Sequence, residues 1–405
     1  MQTVISPGLN PAKICHVAIE LKTFLQNISF IQSHSLGTET VAMVKANAYG
    51  HGLYRISQVL QIQGIKRFGV ATIEEGVALR QAGITGTILL MGGSGFTQNT
   101  DDVIDAEITP LISSLEELQI CIAALQLRKL AKPFQVHLDL DTGMSRAGVL
   151  IEDNPEFGLN PIVQLLQKHR HLISLSGVST HFANAESTDC TFSKFQLDRF
   201  LKAVAYLDHA GFSKAILHVS KSSAILTKLG LGDDLFPKTK QQHPIWVRPG
   251  IAIYGVNPLS RANQLPGLSP ILSWHAPVTV RKTILPGTHV GYNNTWTAKR
   301  DTEIAILRVG YGDGYFRQLS NIGHVLIQGQ KAPIVGRVSM DLTAVDVTQI
   351  TKKLGNESCP IGTMATLIGK DGNETITAQD LSEQCQTIPY EILTNISARV
   401  ARIYF

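Results

Sequence analysis

Val41-Ala42-Met43-Val44-Lys45-Ala46-Asn47-Ala48-Tyr49-Gly50-His51-Gly52 is the stretch on which the reading of this chain turns. Four apolar residues run straight into a lysine, small residues make a turn, and a glycine-rich opening leads into a helix. This is one strand–turn–helix unit with an ammonium at the mouth of a buried strand. Desolvation there disfavours the charged amine, lowers its pKa and leaves a nucleophile that can condense with a carbonyl compound. The bland alternative is a solvated lysine at a strand end, and the pattern that follows along the chain argues against it.

The unit repeats. Apolar strand-like runs occur at Val41–Val44, Phe68–Ala71, Ile88–Met91, Ile108–Ile112, Phe134–Leu140, Leu175–His181, Ile216–Ser220 and Ile245–Arg248, with helix-like stretches between them. Thr72 with Glu75 reads as a capping box and Gly83 as the end of that helix; Ser113 with Glu116, then Ser114 with Glu117, start the next. Eight short buried strands alternating with helices predict an α/β fold of the (β/α)8 barrel type. An open doubly wound sheet is the competing arrangement, and the GxGxxG it carries after its first strand is missing. A barrel collects its chemistry beyond the C-terminal ends of its strands, with phosphate contacts after strands seven and eight. Lys45 follows strand one, Asp139, Asp141 and Arg146 follow strand five, and His181 ends strand six. Ser222 follows strand seven, and Arg248-Pro249-Gly250-Ile251 follows strand eight.

After about Gly255 the helical periodicity fades. Ala276–Ile284, Glu303–Val309, His324–Ile327, Ala332–Val338, Ala344–Val347 and Thr363–Ile368 read as strands between Gly, Asn and Asp turns. Helical stretches are expected over Ala378–Cys385 and near Tyr390–Val400. The expected organisation is an extension over residues 1–13, a barrel over 14–255 and a mostly β domain over 256–405, with Leu231–His243 an exposed insertion. A chain of 405 residues exceeds one ordinary core. Its 44% hydrophobic and 17% charged content fit a globular enzyme, and a net charge of +4 without basic runs gives no support for nucleic-acid or membrane partners. Met1–Cys15 lacks the apolar core of a signal peptide and no run is long enough to span a bilayer, so the cytoplasm is the expected compartment. The five scattered cysteines form no CxxC pair, and His169 with His171 lacks an acidic partner pattern, so no metal is expected.

The chain resembles the alanine racemases, which depend on pyridoxal 5'-phosphate (PLP). The likeness runs from about Cys15 to Phe405. It is carried by Val44–Gly52, Asp141–Gly148, Thr180–Ala183, Val247–Gly255, Gly291-Tyr292, Gly310–Tyr315, Gly336–Asp341 and Ile388–Glu391, in family order. The resemblance implies a homodimer with shared active sites that interconverts L- and D-alanine, supplying D-alanine for peptidoglycan. It implies Lys45 as the PLP-bearing base and Tyr292, reaching the barrel of the partner subunit, as the second. Tyr49, Ser222, Tyr390 and the N–H groups of Gly250 and Ile251 match the phosphate-binding positions. His181 flanks the cofactor ring and bonds toward Arg248, which faces the pyridine nitrogen. Arg146 and the backbone N–H of Met340 match the substrate-carboxylate positions, and Tyr311 and Asp341 shape the entrance.

The residue types suit that chemistry. Racemisation needs an electron sink and an acid/base group on each face of the substrate. A guanidinium keeps its proton, so a ring nitrogen facing Arg248 stays an acceptor, which weakens the sink and suppresses side reactions. Two departures from the family stand out: Lys221 replaces the usual asparagine, and Asp139 stands where many members carry a carbamylated lysine beside the arginine. Asp139 is expected to supply negative charge to Arg146 directly. The alternatives are a broader amino-acid racemase or a decarboxylase on the same barrel, or a non-catalytic PLP-binding protein. A decarboxylase usually places an acidic residue where Arg248 stands, and a PLP carrier needs no domain bearing Tyr292.

Overall fold

Each apolar run of the first half is too short to bury its own faces and takes parallel partners on both sides. The computed structural model describes residues 13–93, 95–231 and 242–405; most of the expected extension (1–12) and insertion (232–241) lies outside them. The strands, in chain order, are β1 (His16–Ile19), β2 (Glu39–Thr40), β3 (Ala42–Met43), β4 (Arg67–Val70), β5 (Thr87–Leu90) and β6 (Ile108–Ile112). They continue with β7 (Phe134–Asp141), β8 (Val149–Leu150), β9 (Ile173–Thr180), β10 (Ile216–His218) and β11 (Trp246–Val247). The sheet order β10-β9-β7-β6-β5-β4-β3 is parallel throughout. β11 closes the ring: Trp246 and Val247 pair with Glu39 and Thr40 of β2, and Ile245 bridges Leu217 of β10. The result is the eight-stranded barrel the alternation predicts, β2 and β3 acting as one broken strand.

The helix starts are partly as expected. Thr72 Oγ1 accepts from Glu75 N–H and Ser114 Oγ accepts from Glu117 N–H. The glutamates reach one residue further back than a capping box requires, to the N–H groups of Ala71 at 3.0 Å and Ser113 at 2.6 Å. Ser113 caps nothing with Glu116, because Ser114 is the N-cap.

The second half adds β12 (Leu272–Ile284), β13 (His289–Val290), β14 (Trp296–Thr297), β15 (Thr302–Leu307), β16 (His324–Ile327) and β17 (Gln330–Pro333), then β18 (Thr343–Asp346), β19 (Met364–Asp371), β20 (Glu374–Ile376) and β21 (Ala401–Tyr404). The long β12 is the spine, pairing with β1, β15 and β19. The helix expected near Tyr390–Val400 is only Pro389–Thr394, and β21 follows it.

β1 falls inside the 14–255 barrel unit read from sequence, yet it belongs to the other sheet, antiparallel to β12 and parallel to β21. The closed ring has no free edge for it, whereas β12 and β21 leave a slot that buries Val17 and Ile19 completely. This arrangement locks the C-terminus against the start of the barrel. Arg402 Nε donates to Gly50 O at 3.1 Å and Tyr404 Oη to His51 O at 2.9 Å, both in the turn that follows Lys45.

Candidate active site

Lys45 leaves β3 into the expected small-residue turn, whose left-handed course the sequence did not announce. Ala46, Asn47, Ala48 and Tyr49 all have left-handed backbone angles, φ 52°, 55°, 53° and 53°. Only asparagine among them tolerates this conformation readily. Tertiary contacts hold it: Ala46 N–H donates to Glu75 Oε1 at 2.6 Å, and Leu53 N–H to Asn47 Oδ1 at 2.8 Å. Gly50 follows at φ +84°, and a Cβ there would collide with Leu393 O. The turn leaves the Lys45 amine half-buried with its pKa lowered, chiefly by burial and then by Arg146, opposed by Glu75, with a smaller push from Arg248. The lysine, both arginines and Glu75 therefore share one electrostatic neighbourhood.

Arg248 is buried at the end of β11. Its Nη2 donates to Thr180 O at 2.7 Å, and its Nη1 to His218 O and to His218 Nδ1 at 2.6 Å. His218 Nε2 in turn meets His137 Nδ1 at 2.7 Å. With Nδ1 of His218 an acceptor, its Nε2–H donates the hydrogen bond to His137 Nδ1, so both rings are neutral; these tautomers are assigned from the network. Burial and Arg248 hold His218 well below its usual pKa and His137 at about 3. A Cβ on Gly177 would strike the His137 ring. The sequence reading gave this partnership to His181, but the arginine's histidine is His218. His181 sits at the mouth with its pKa pushed well down by burial, then by Arg248, Arg146, Lys221 and Lys45. His218 and His137 were missed because an inward-facing strand histidine carries no local motif; the equal parity of His137 and Asp139 on β7 was the one available hint.

The positions matched to phosphate binding lie side by side. Ser222 Oγ accepts Gly250 N–H at 2.8 Å and Ala252 N–H at 3.4 Å. The Gly250 N–H expected to serve an anion is thus already used, and the Ser222 hydroxyl, accepting twice, keeps its proton to donate. The Tyr49 phenol lies directly over Gly250, where any Cβ would collide with its oxygen. Tyr390, from the β domain, brings its ring to 6.0 Å from that of Tyr49. Burial raises both phenols, Tyr390 to about 12 with help from Glu186. Ile251 starts the buried turn that follows.

Asp139 does not meet the expectation that it pairs with Arg146. Its Oδ1 accepts from Ser179 Oγ at 2.7 Å, and no ion pair joins it to Arg146 among the described residues. Burial raises its pKa, against Ser179, Arg248 and Arg146. The side chain is too short: it turns into a niche where a Cβ on Gly92 would touch Asp139 Oδ2 and Ser113 Oγ, while Arg146 is exposed.

Tyr292, Tyr311, Met340 and Asp341 form a separate group on the β domain. Tyr292 is 68% exposed, and Tyr311 and Met340 are also exposed. Asp341 is tied to Arg399 at 2.7 Å, which also holds Asp313, so it is less free to line an entrance than expected. No hydrogen bond, ion pair or ring contact joins this group to the Lys45 cluster among the described residues.

An activated lysine at the mouth of a (β/α)8 barrel, a buried arginine at its last strand and a β domain gripping the lysine turn define a two-domain barrel enzyme. Residues 19–258 match the alanine racemase N-terminal domain and residues 271–404 its C-terminal domain. The alanine racemase of Carboxydothermus hydrogenoformans is 36% identical over 95% of this chain and 98% of its own, and that of Methanococcus maripaludis 35% over 95% and 97%. The crystal structure of alanine racemase from Bacillus anthracis with bound L-Ala-P superposes with a TM-score of 0.85 at 31% identity, covering 99% of this chain and 96% of that one. Bartonella henselae alanine racemase with covalently bound pyridoxal phosphate gives 0.78 at 29%, covering 97% and 99%. The chain belongs to the alanine racemase family, whose members are PLP-dependent isomerases.

Proposed function

We propose that this chain binds PLP and interconverts L- and D-alanine as a homodimer with shared active sites. The observation that carries the reading is the Lys45 amine, held at the barrel mouth with a lowered pKa beside Arg146 and Arg248. The residues fit the cofactor. Lys45 supplies the amine, and Tyr49 over the bare Gly250 backbone, with Ser222, Ile251 and Tyr390, offers neutral donors for its phosphate. Arg248, whose Nη1 and Nη2 donate to carbonyls and a neutral histidine, keeps its proton and has its Nε–H left for a ring nitrogen.

Bound there, PLP supplies the sink for the electron pair left when a substrate loses its α-proton. Lys45 holds the cofactor, then moves a proton on one face. Tyr292 of the partner subunit moves it on the other. Arg146, with the Met340 N–H of the partner subunit, binds the substrate carboxylate, and His181 flanks the ring. Tyr311 and Asp341 narrow the approach. The exposure of Tyr292, Tyr311, Met340 and Leu342 on the β domain supports burial against a second copy. D-alanine made in the cytoplasm would serve peptidoglycan synthesis. No helix among the described residues is long and apolar enough to cross a membrane.

The test incubates the purified protein and PLP with single enantiomers of alanine, serine and lysine and follows D/L ratios by chiral chromatography, with borohydride trapping and peptide mapping in parallel. Racemisation fastest for alanine and a label on Lys45 are expected. A label on another lysine, or no racemisation with PLP bound, refutes the reading.

A further inference from the structure

Lys221 is where the chain departs from the family beside the phosphate-binding positions, and the structure gives it a defined place. It follows β10 and directly precedes Ser222, whose hydroxyl takes the Gly250 N–H. Its backbone bridges Arg248 in parallel register, with Arg248 N–H donating to Ser220 O at 2.9 Å. Both sides of Lys221 are therefore fixed within the candidate cofactor site. The side chain is 23% exposed, and its Nζ lies 3.0 Å from Glu186 Oε2. The same carboxylate oxygen accepts Ser223 Oγ at 3.2 Å, so Glu186 is anchored on the helix that Ser222 opens.

The pair has direction. The Lys221 charge acts on His181, and the Glu186 charge acts on Tyr390. The charges of the pair are thus felt both at His181 and at Tyr390. The other donors assigned to the phosphate are neutral: two phenols, one serine hydroxyl and the backbone N–H of Ile251. Lys45 is committed to the cofactor's carbonyl carbon and Arg248 to the pyridine side. A phosphate dianion held only by neutral donors gains from an adjacent ammonium, and charge-assisted bonds are roughly twice as strong as neutral ones.

We propose that Lys221 is a further phosphate-binding residue of this enzyme, steered by Glu186, and that the Lys221–Glu186 pair sets how tightly the cofactor is retained. Glu186 holds the ammonium at the rim and competes with the phosphate for it. The inference rests on the reading of residues 45–52 and 248–251 as a PLP site.

The experiment measures equilibrium binding to the full-length apoenzyme by fluorescence titration, with PLP and with pyridoxal, which lacks the phosphate. Lys221→Met should raise the Kd for PLP about tenfold, equivalent to about 1.4 kcal/mol, and leave that for pyridoxal within about twofold. Lys221→Asn should behave like Lys221→Met. Glu186→Gln frees the ammonium and should tighten PLP binding, again without effect on pyridoxal. The preference for PLP over pyridoxal should fall with salt in the wild type more steeply than in Lys221→Met. A Lys221→Met loss equal for both ligands, a fall in thermal stability with no change in Kd, or weaker PLP binding in Glu186→Gln overturns the proposal. If the wild-type protein binds neither ligand, the cofactor reading itself has failed. If it binds PLP at Lys45 and the variants do not discriminate, only the role of Lys221 has.

Discussion

Glu75 controls the candidate lysine twice over, and substituting it separates geometry from charge. Its Oε1 accepts Ala46 N–H at 2.6 Å and its Oε2 accepts Ala71 N–H at 3.0 Å. The first bond anchors a turn in which Ala46, Ala48 and Tyr49 are left-handed, an unfavourable conformation of about 1–2 kcal/mol for each such residue. A hydrogen bond to a charged group contributes about 1.5–3 kcal/mol, and the Ala46 bond is exposed, so losing both should cost about 2–3 kcal/mol. The Glu75 charge also raises the Lys45 pKa against burial and Arg146. Glu75→Gln keeps one acceptor, turns an amide N–H toward a backbone N–H, and removes the charge. Its melting temperature should fall by several degrees, and the pH at which Lys45 becomes reactive should also fall. Glu75→Asp keeps the charge on an arm too short for both bonds, so stability should fall with less change in that midpoint. A lysine held below its unfolded pKa destabilises the fold at neutral pH, and stability recovers as pH rises through the folded pKa toward 10.5. Glu75→Gln should extend that window downward. The assay is the pH dependence of borohydride-trapped labelling of Lys45 by PLP, with calorimetry alongside. An unmoved or raised midpoint in Glu75→Gln, with unchanged melting temperature, refutes the argument.

Tyr292→Phe should lower racemisation by about 10²–10⁴-fold while solvent deuterium still exchanges on the Lys45 face. Mixing it with Lys45→Ala subunits should restore part of the activity if sites are shared, and isotope-ratio mass spectrometry with chiral separation checks both outcomes. Asp139→Asn keeps the Ser179 contact and removes a half-buried charge whose pKa is raised. It should match or exceed wild-type stability at neutral pH, with the gain vanishing as acid protonates the wild-type group, and it should leave substrate KM within about twofold if Asp139 does not position Arg146. Calorimetry across pH and steady-state kinetics decide it. Arg248→Glu would set a carboxylate among the carbonyl oxygens of Thr180 and His218. A stability loss of about 3–5 kcal/mol is expected in denaturant titration, and a variant as stable as wild type would contradict the network.

The barrel and the placement of Lys45, Arg248 and Ser222 were legible in the sequence because they are local. An apolar run of strand length, a turn and a capped helix are encoded within a few residues, and the barrel rule then gathers strand ends at one mouth. The full burial of Ile108–Ile112 follows from that pattern alone. Three features lay beyond it. β1 lies inside the 14–255 unit without being one of its eight predicted strands, and only the slot between β12 and β21, separated from it by most of the chain, shows where it pairs. The left-handed turn at Ala46–Tyr49 opposes the preference of alanine and tyrosine, so it exists only because Glu75 and Leu393 constrain it from outside. Arg248 chose His218 over His181, and Asp139 chose Ser179 over Arg146, because side-chain reach and facing are three-dimensional quantities. Sequence spacing states which groups arrive at the barrel mouth; packing at that mouth decides which of them touch.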